Sequence, residues 1–342
     1  MPRRPVIAAL LAAVALAAGC GGSTSAPQAA PVSDLRIALD WVPNTNHAGI
    51  YVAKAKGLFE RERIRLRILP YSGANPEVLV AQGKADLGVS FAPSLAVSRA
   101  AGIPIRAVAA IIPENQEALA VLASSKVRRP ADLTGATSYL GFGLPSEAPV
   151  MAAVIRADGG RPTFRTAVLQ TAAYEALYQG KGDFSQVFQA WEPIEARLRT
   201  PSVRLRLFPV RNYLGPEGNW PSVVLVASDT AITERADVLR RGLRALSEGY
   251  TFASTSPDDA ARMLEQADTT LGRKPELVRQ SMRFLAPTLV PPGSAWGQMN
   301  REQFVGITNI LATAGALKDR SRRTLPSLDP GSLFTNRLLP TD

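Results

Sequence analysis

Hydrophobic positions along the chain switch between a two-residue and a near four-residue period. Residues 35–41 place Leu35, Ile37, Leu39 and Trp41 at every second position, the period of a strand with one buried face. Residues 48–56 follow with helical spacing and stop at Gly57. Residues 64–68 then set Arg65 and Arg67 between Ile64, Leu66 and Ile68, a second strand with one solvated face. Asn75 and Pro76 have the residue types of a helix N-cap and first helical position. The alternation predicts α/β layers. Beyond Ile232 the pattern becomes mostly helical, with amphipathic segments at 238–252, 257–266, 275–285 and 301–317 whose apolar faces must bury against a first lobe.

A near-repeat divides the chain. Gln82-Gly83-Lys84-Ala85-Asp86 precedes the apolar residues 87–89, and Gln179-Gly180-Lys181-Gly182-Asp183 precedes residues 184–188. In both places a helix stops at glycine and an aspartate opens a strand. The repeat predicts two similar lobes, residues 34–115 with 226–342 and residues 116–225, joined by apolar crossings at 113–122 and 220–228. Two crossings make a hinge.

The amino terminus has a different character. Arg3 and Arg4 precede an apolar run, residues 6–18, and small residues lead to Cys20. That run spans about 20 Å as a helix, short of the roughly 30 Å of a bilayer core, so residues 1–19 read as an export signal. Residues 16–20 resemble a bacterial lipoprotein lipobox, which implies a lipid on Cys20 and anchorage to the cell membrane; Ala17 stands where leucine is more typical. Residues 20–33, rich in Gly, Ser, Pro and Ala, read as a flexible tether. Cys20 is the only cysteine, so the mature fold has neither a disulfide nor a cysteine metal site. The net charge is +10, or +8 once Arg3 and Arg4 are removed, and it is dispersed, which favours an anionic lipid surface over nucleic acid as a neighbour. With one histidine, His47, a Ser/His/Asp triad centred elsewhere and a multi-histidine metal site are excluded, and no phosphate loop motif is present.

The candidate chemistry gathers after the first strand. Asp40, Trp41, Asn44, Asn46 and His47 fall in the turn that leads into the first helix, at the carboxyl end of a strand, where open α/β sheets bind ligands. Trp41 offers a stacking plate, and Asn44 and Asn46 offer amide donors and acceptors.

The run LDWVPNTNHAGIY at residues 39–51, with Lys56-Gly57-Leu58-Phe59, resembles the opening of the NMT1/THI5-like family of solute-binding proteins. The likeness continues through residues 83–89, 101–104 and 141–147, Trp191-Glu192, Asn219-Trp220-Pro221 and Phe334-Thr335-Asn336. It implies a type II periplasmic-binding-protein fold, two α/β lobes with the ligand cleft and a hinge between them. The opening run is nearest the branch that binds aminopyrimidine precursors of thiamine; other branches take taurine, sulfonates, nitrate or riboflavin. Carried over, Trp41 stacks on the pyrimidine, Asn44 and His47 shape its pocket, and Glu192 beside Trp191 binds the exocyclic amine. Phe91 and Ser94 join them. Gly141, Phe142, Pro145 and Ser146 form a glycine-rich loop able to present backbone donors from the other lobe, and Asn219 and Trp220 line the hinge side. The implied partners are an ABC permease and its ATPase, with no cofactor and a monomeric binding protein.

The family also includes a fungal pyrimidine synthase. Its activity is attributed to a lysine holding pyridoxal phosphate, a histidine and a cysteine-rich iron stretch. In the matching segment, residues 86–95, this chain has Ser90 and Ser94 where that enzyme has its lysine and histidine, and it has no cysteine-rich stretch. The resemblance therefore favours a transport binder over an enzyme or an adhesive surface protein.

Overall fold

The computed structural model describes residues 31–340 apart from Ser72 and Ala136. The export signal, Cys20 and most of the tether lie outside the described residues.

From Ser33 the chain builds two five-stranded sheets. In the first, β1 (Ser33–Ala38) pairs in parallel with β2 (Ile64–Leu69) and β3 (Leu87–Ser90). β4 (Ile105–Ile112) forms the far edge, and β10 (Val223–Ser228) runs antiparallel between β3 and β4. The second sheet contains β5 (Glu117–Leu122), β6 (Ser138–Gly141), β7 (Arg165–Val168), β8 (Phe184–Phe188) and β9 (Leu205–Pro209). The orders, β2-β1-β3-β10-β4 and β7-β6-β8-β5-β9, are the same design: three parallel strands, then one antiparallel strand, then an edge. In each sheet the antiparallel strand lies next to a crossing between the lobes. The architecture is the two-lobed type II periplasmic-binding-protein fold.

The chain crosses at residues 113–116 and returns through residues 210–222. A lobe boundary at 225 cuts through β10, whose six residues are all buried in the first sheet. The strand begins at Val223, and just before it, at the hinge, the Ser222 Oγ accepts the Gln116 N–H at 2.6 Å. The tether also ends earlier than expected, since Ser33 already pairs with Ile64. The first strand stops at Ala38 rather than Trp41. Beyond it, Pro43 and the turn capped by Asn44 draw the backbone out of the sheet.

The two near-repeats occupy equivalent places. Gly83 and Gly180 both adopt left-handed φ, +66° and +68°, which glycine reaches without the Cβ penalty. Asp86 accepts the backbone N–H of Arg36 in β1 at 2.7 Å, and Asp183 that of Ser138 in β6 at 2.6 Å. Each aspartate therefore fastens the strand it opens to the central parallel strand of its own sheet. Burial alone would raise the Asp86 carboxyl, but hydrogen bonds from Arg36 and the charge of Arg235 hold it below the usual range.

Three of the expected tail helices, Ala236–Thr255, Pro257–Ala267 and Pro275–Leu289, cover the outer face of the first sheet together with the helix Ala48–Ala55. The closest crossing uses glycine on both sides. A Cβ on Gly49 would stand 2.2 Å from the Tyr250 ring, and one on Gly249 2.2 Å from the Gly49 carbonyl oxygen. The fourth helix, Glu302–Thr313, departs from expectation. It packs against Ala92–Ala100 of the first lobe and also against Glu147–Ala157 of the second, bracing the two from the hinge side.

Candidate functional site

The loops at the carboxyl ends of β1, β3, β6 and β8 face one another across the space between the sheets and enclose a cavity of ≈ 290 Å³. That is at the lower end of the roughly 300–1,000 Å³ common for small-molecule sites, a size suited to a single ring with short substituents.

The first lobe supplies an aromatic plate on a rigid turn. Asn44 spends its amide on the turn itself: its Oδ1 accepts the Asn46 N–H at 2.8 Å, and its Nδ2 donates to the Val42 carbonyl at 3.3 Å. His47, fully buried, accepts the Asn44 N–H on Nδ1 at 3.2 Å, which leaves the proton of a neutral ring on Nε2 to donate to Asp40 Oδ1 at 2.8 Å. His47 thus aims Asp40 at the cleft rather than facing it. Tyr250 donates to the Asn46 carbonyl at 2.8 Å, and Thr45 shares a hydrogen bond with Ser281 at 2.6 Å, tying the turn to the tail helices. On this base Trp41 lies 5.2 Å from the Tyr71 ring and meets Phe142 of the second lobe edge-on at 6.1 Å. Phe91 and Phe188 make a second aromatic contact between lobes at 5.6 Å. Lys274 and Glu195 add an ion pair between the lobes at 2.9 Å. At its floor the Ser90 hydroxyl donates to Glu77, which is 2% exposed and whose carboxyl burial pushes up.

The second lobe supplies carboxylates. Glu147 Oε2 accepts the N–H groups of Phe142 and Gly143 at 2.9 and 3.3 Å and the Tyr139 hydroxyl at 3.3 Å. The glycine-rich loop was expected to offer backbone donors to a ligand; the chain's own carboxylate takes two of them instead. Gly141 makes this possible, because a Cβ there would sit 2.9 Å from that same oxygen. Glu192 Oε2 accepts the Phe188 N–H at 2.8 Å, and burial pushes its carboxyl up to about 7. Glu117 opens β5 yet is 2% exposed; burial pushes it up to about 7 as well, against the pull of the nearby Trp220 indole N–H, which makes no full hydrogen bond.

Of the expected residues, Trp41, Asn44, Phe91, Ser94, Phe142, Ser146, Trp191 and Glu192 line the cleft. His47 and Gly141 stand behind the lining. Pro145 is exposed outside it, because its loop turns outward there before the helix Glu147–Ala157 begins. Asn219 and Trp220 do not reach the cleft. The Asn219 Oδ1 accepts the Asn115 N–H at 3.0 Å and braces the hinge, while Trp220 is buried in the core beneath Glu117. Asp40 and Asn46 of the first turn also line the cleft, and sequence reasoning missed Tyr71, Glu77, Glu117, Glu147, Tyr174 and Gln186. One signal for Glu117 was available, a carboxylate opening the otherwise apolar run EALAVL. The cleft's charge is one-sided. Five carboxylates, Asp40, Glu77, Glu117, Glu147 and Glu192, line it, and among the described residues no Lys, Arg or His does.

A family model described as NMT1/THI5 like matches residues 44–260. The chain belongs to that family. A formylaminopyrimidine-binding protein of Halalkalibacterium halodurans is 25% identical over 314 residues, 89% of this chain and 92% of that protein. A shorter likeness, 32% over 81 residues, joins it to a 4-amino-5-hydroxymethyl-2-methylpyrimidine phosphate synthase of Uromyces fabae, 23% of this chain and 24% of that one. Among solved structures, the alkanesulfonate-binding protein of Xanthomonas axonopodis pv. citri, bound to MOPS, superposes with a TM-score of 0.68 at 19% identity, covering 89% of this chain and 99% of that chain. That last likeness speaks to the fold.

Proposed function

We propose that this member of the NMT1/THI5-like family is the extracytoplasmic solute-binding component of an ABC importer, held to the membrane by a lipid on Cys20, and that it delivers a thiamine-related aminopyrimidine to its permease. The observation that carries the reading is the cleft itself, aromatic on its faces and, among the described residues, lined by five carboxylates without a basic side chain. A sulfonate, nitrate or phosphate needs N–H donors and positive charge. This cleft offers acceptors, and two loop N–H groups that an anion would use are taken by Glu147. An aminopyrimidine is flat and donates hydrogen bonds from its amine, which suits Trp41 as a plate and Glu192 as an acceptor. The name of the Halalkalibacterium relative agrees.

A synthase activity fits less well. Among the described residues no lysine lines the cleft to hold pyridoxal phosphate and no cation faces its phosphate, and the only cysteine of the sequence is Cys20. Calorimetric titration of the full-length protein against 4-amino-5-hydroxymethyl-2-methylpyrimidine, its formylaminomethyl analogue, riboflavin and taurine tests the reading. Saturable heat with the pyrimidines alone is expected; preference for taurine or riboflavin overturns it.

A further inference from the structure

Among the buried side-chain oxygens of the second lobe that lack hydrogen-bond partners, three belong to residues at the cleft. They are Glu117 Oε2, Glu147 Oε1 and Gln186 Oε1, and their residues all line the cleft. Glu117 is 2% exposed and Glu147 5%. They also converge. Glu117 stands opposite Phe188 in the β5–β8 ladder, which puts Gln186, two residues along β8, on the same face. β6 flanks β8 on its other side, and the Glu147 carboxylate packs over Gly141 at the end of that strand. Acceptors from three neighbouring strands therefore gather on one side of the cleft, while the Phe188 N–H engages the Glu192 oxygen.

An unpaired buried acceptor costs free energy, and two carboxylates side by side cost more. Such an arrangement persists where a ligand completes it. A neutral hydroxyl brings one donor, and a phosphate ester brings none and adds repulsion. A primary ammonium brings three N–H donors and a positive charge, one donor for each oxygen. The Trp220 indole leaves most of the Glu117 lone pairs open even if it turns toward them.

We propose that Glu117, Glu147 and Gln186 form an ammonium subsite, so that the preferred ligand is a cationic pyrimidine carrying an aminomethyl arm rather than its hydroxymethyl or phosphorylated counterpart. The proposal rests on the aminopyrimidine reading above. On it, Trp41 and Glu192 hold the ring and its amine, and the second-lobe oxygens read the substituent.

The test is a titration of the full-length protein and its Glu117→Gln and Gln186→Leu variants with 4-amino-5-aminomethyl-2-methylpyrimidine and the hydroxymethyl analogue. The parent should bind the aminomethyl compound at least about tenfold more tightly, as a charge-assisted bond warrants. Each variant should lose most of that preference, through a fall in affinity for the aminomethyl compound that is at least about fivefold larger than any fall for the hydroxymethyl compound. Equal binding of both compounds by the parent, or a loss in Glu117→Gln that is the same for both, overturns the ammonium subsite and leaves the pyrimidine reading intact. Binding of neither compound removes both. Should one variant fail to fold, the preference of the parent and the other variant still decide.

Discussion

Glu147 closes over Gly141, with its Oε2 2.9 Å from where a Cβ on that glycine would stand. The same site lies 2.7 Å from Tyr139 Cε1, so any side chain there collides with both a buried ring and a carboxylate. Gly141→Ala is expected to destabilise the protein by about 1–3 kcal/mol, the usual cost of overpacking, and to weaken ligand binding by displacing Glu147. Chemical denaturation alongside calorimetry checks both effects. Unchanged stability would mean that the loop shifts freely.

Trp41 rests on Tyr71 at 5.2 Å and faces a lobe it is not part of. Trp41→Ala therefore removes a stacking surface for the ligand and an aromatic contact between the lobes. Aminopyrimidine affinity should fall at least about tenfold, from a pair worth about 0.5–1.5 kcal/mol beyond the area buried. Glu192→Gln, which keeps the volume and loses the charge, should cost about 10- to 150-fold. A parent-like affinity in either variant would take that side chain out of the binding role.

The stability of the ligand-free protein should fall as pH rises through the neutral range. Glu117 and Glu192 are pushed up from 4.5 to about 7 in the folded state, mainly by burial, so between those values the folded protein holds protons that the unfolded chain has released. Stability that depends on protonation is then fully present below pH 4.5 and lost as pH climbs past 7. Asp86, held low by Arg36 and Arg235, acts in the opposite sense and only below its ordinary range. Thermal unfolding from pH 5 to 8 should show a falling Tm, and Glu117→Gln should flatten the slope. A flat profile in the parent would show that these carboxyls reach solvent.

Lipidation is tested by replacing one atom. Cys20→Ser keeps the residue's size but removes the thiol, and the protein should move from the membrane to the soluble fraction. Retention at the membrane would show that something other than a lipid on Cys20 holds it.

Much of the architecture was legible in the sequence because it depends on local rules. The alternation at Ile64, Leu66 and Ile68, the Asn75–Pro76 helix start and the glycine stops at Gly83 and Gly180 each need only neighbouring residues to take effect. The paired motifs ending in Asp86 and Asp183 even marked equivalent strands, since the same turn and the same carboxylate fasten both. The chain alone likewise limited the chemistry, with one histidine and one cysteine to spend. What tertiary structure decided is which polar groups are left over. Glu147 stands in the first turn of its helix, and only the approach of that helix to Gly141 makes it consume the loop's donors. Trp220 and Asn219 stand beside a crossing in the sequence, yet packing buries one and turns the other to the hinge. Glu117, Gln186 and Glu147 are separated by dozens of residues and meet only because β5 and β6 both pair with β8. Burial and pairing across distant segments set the charge and hydrogen-bonding demand of the cleft, and no local pattern encodes them.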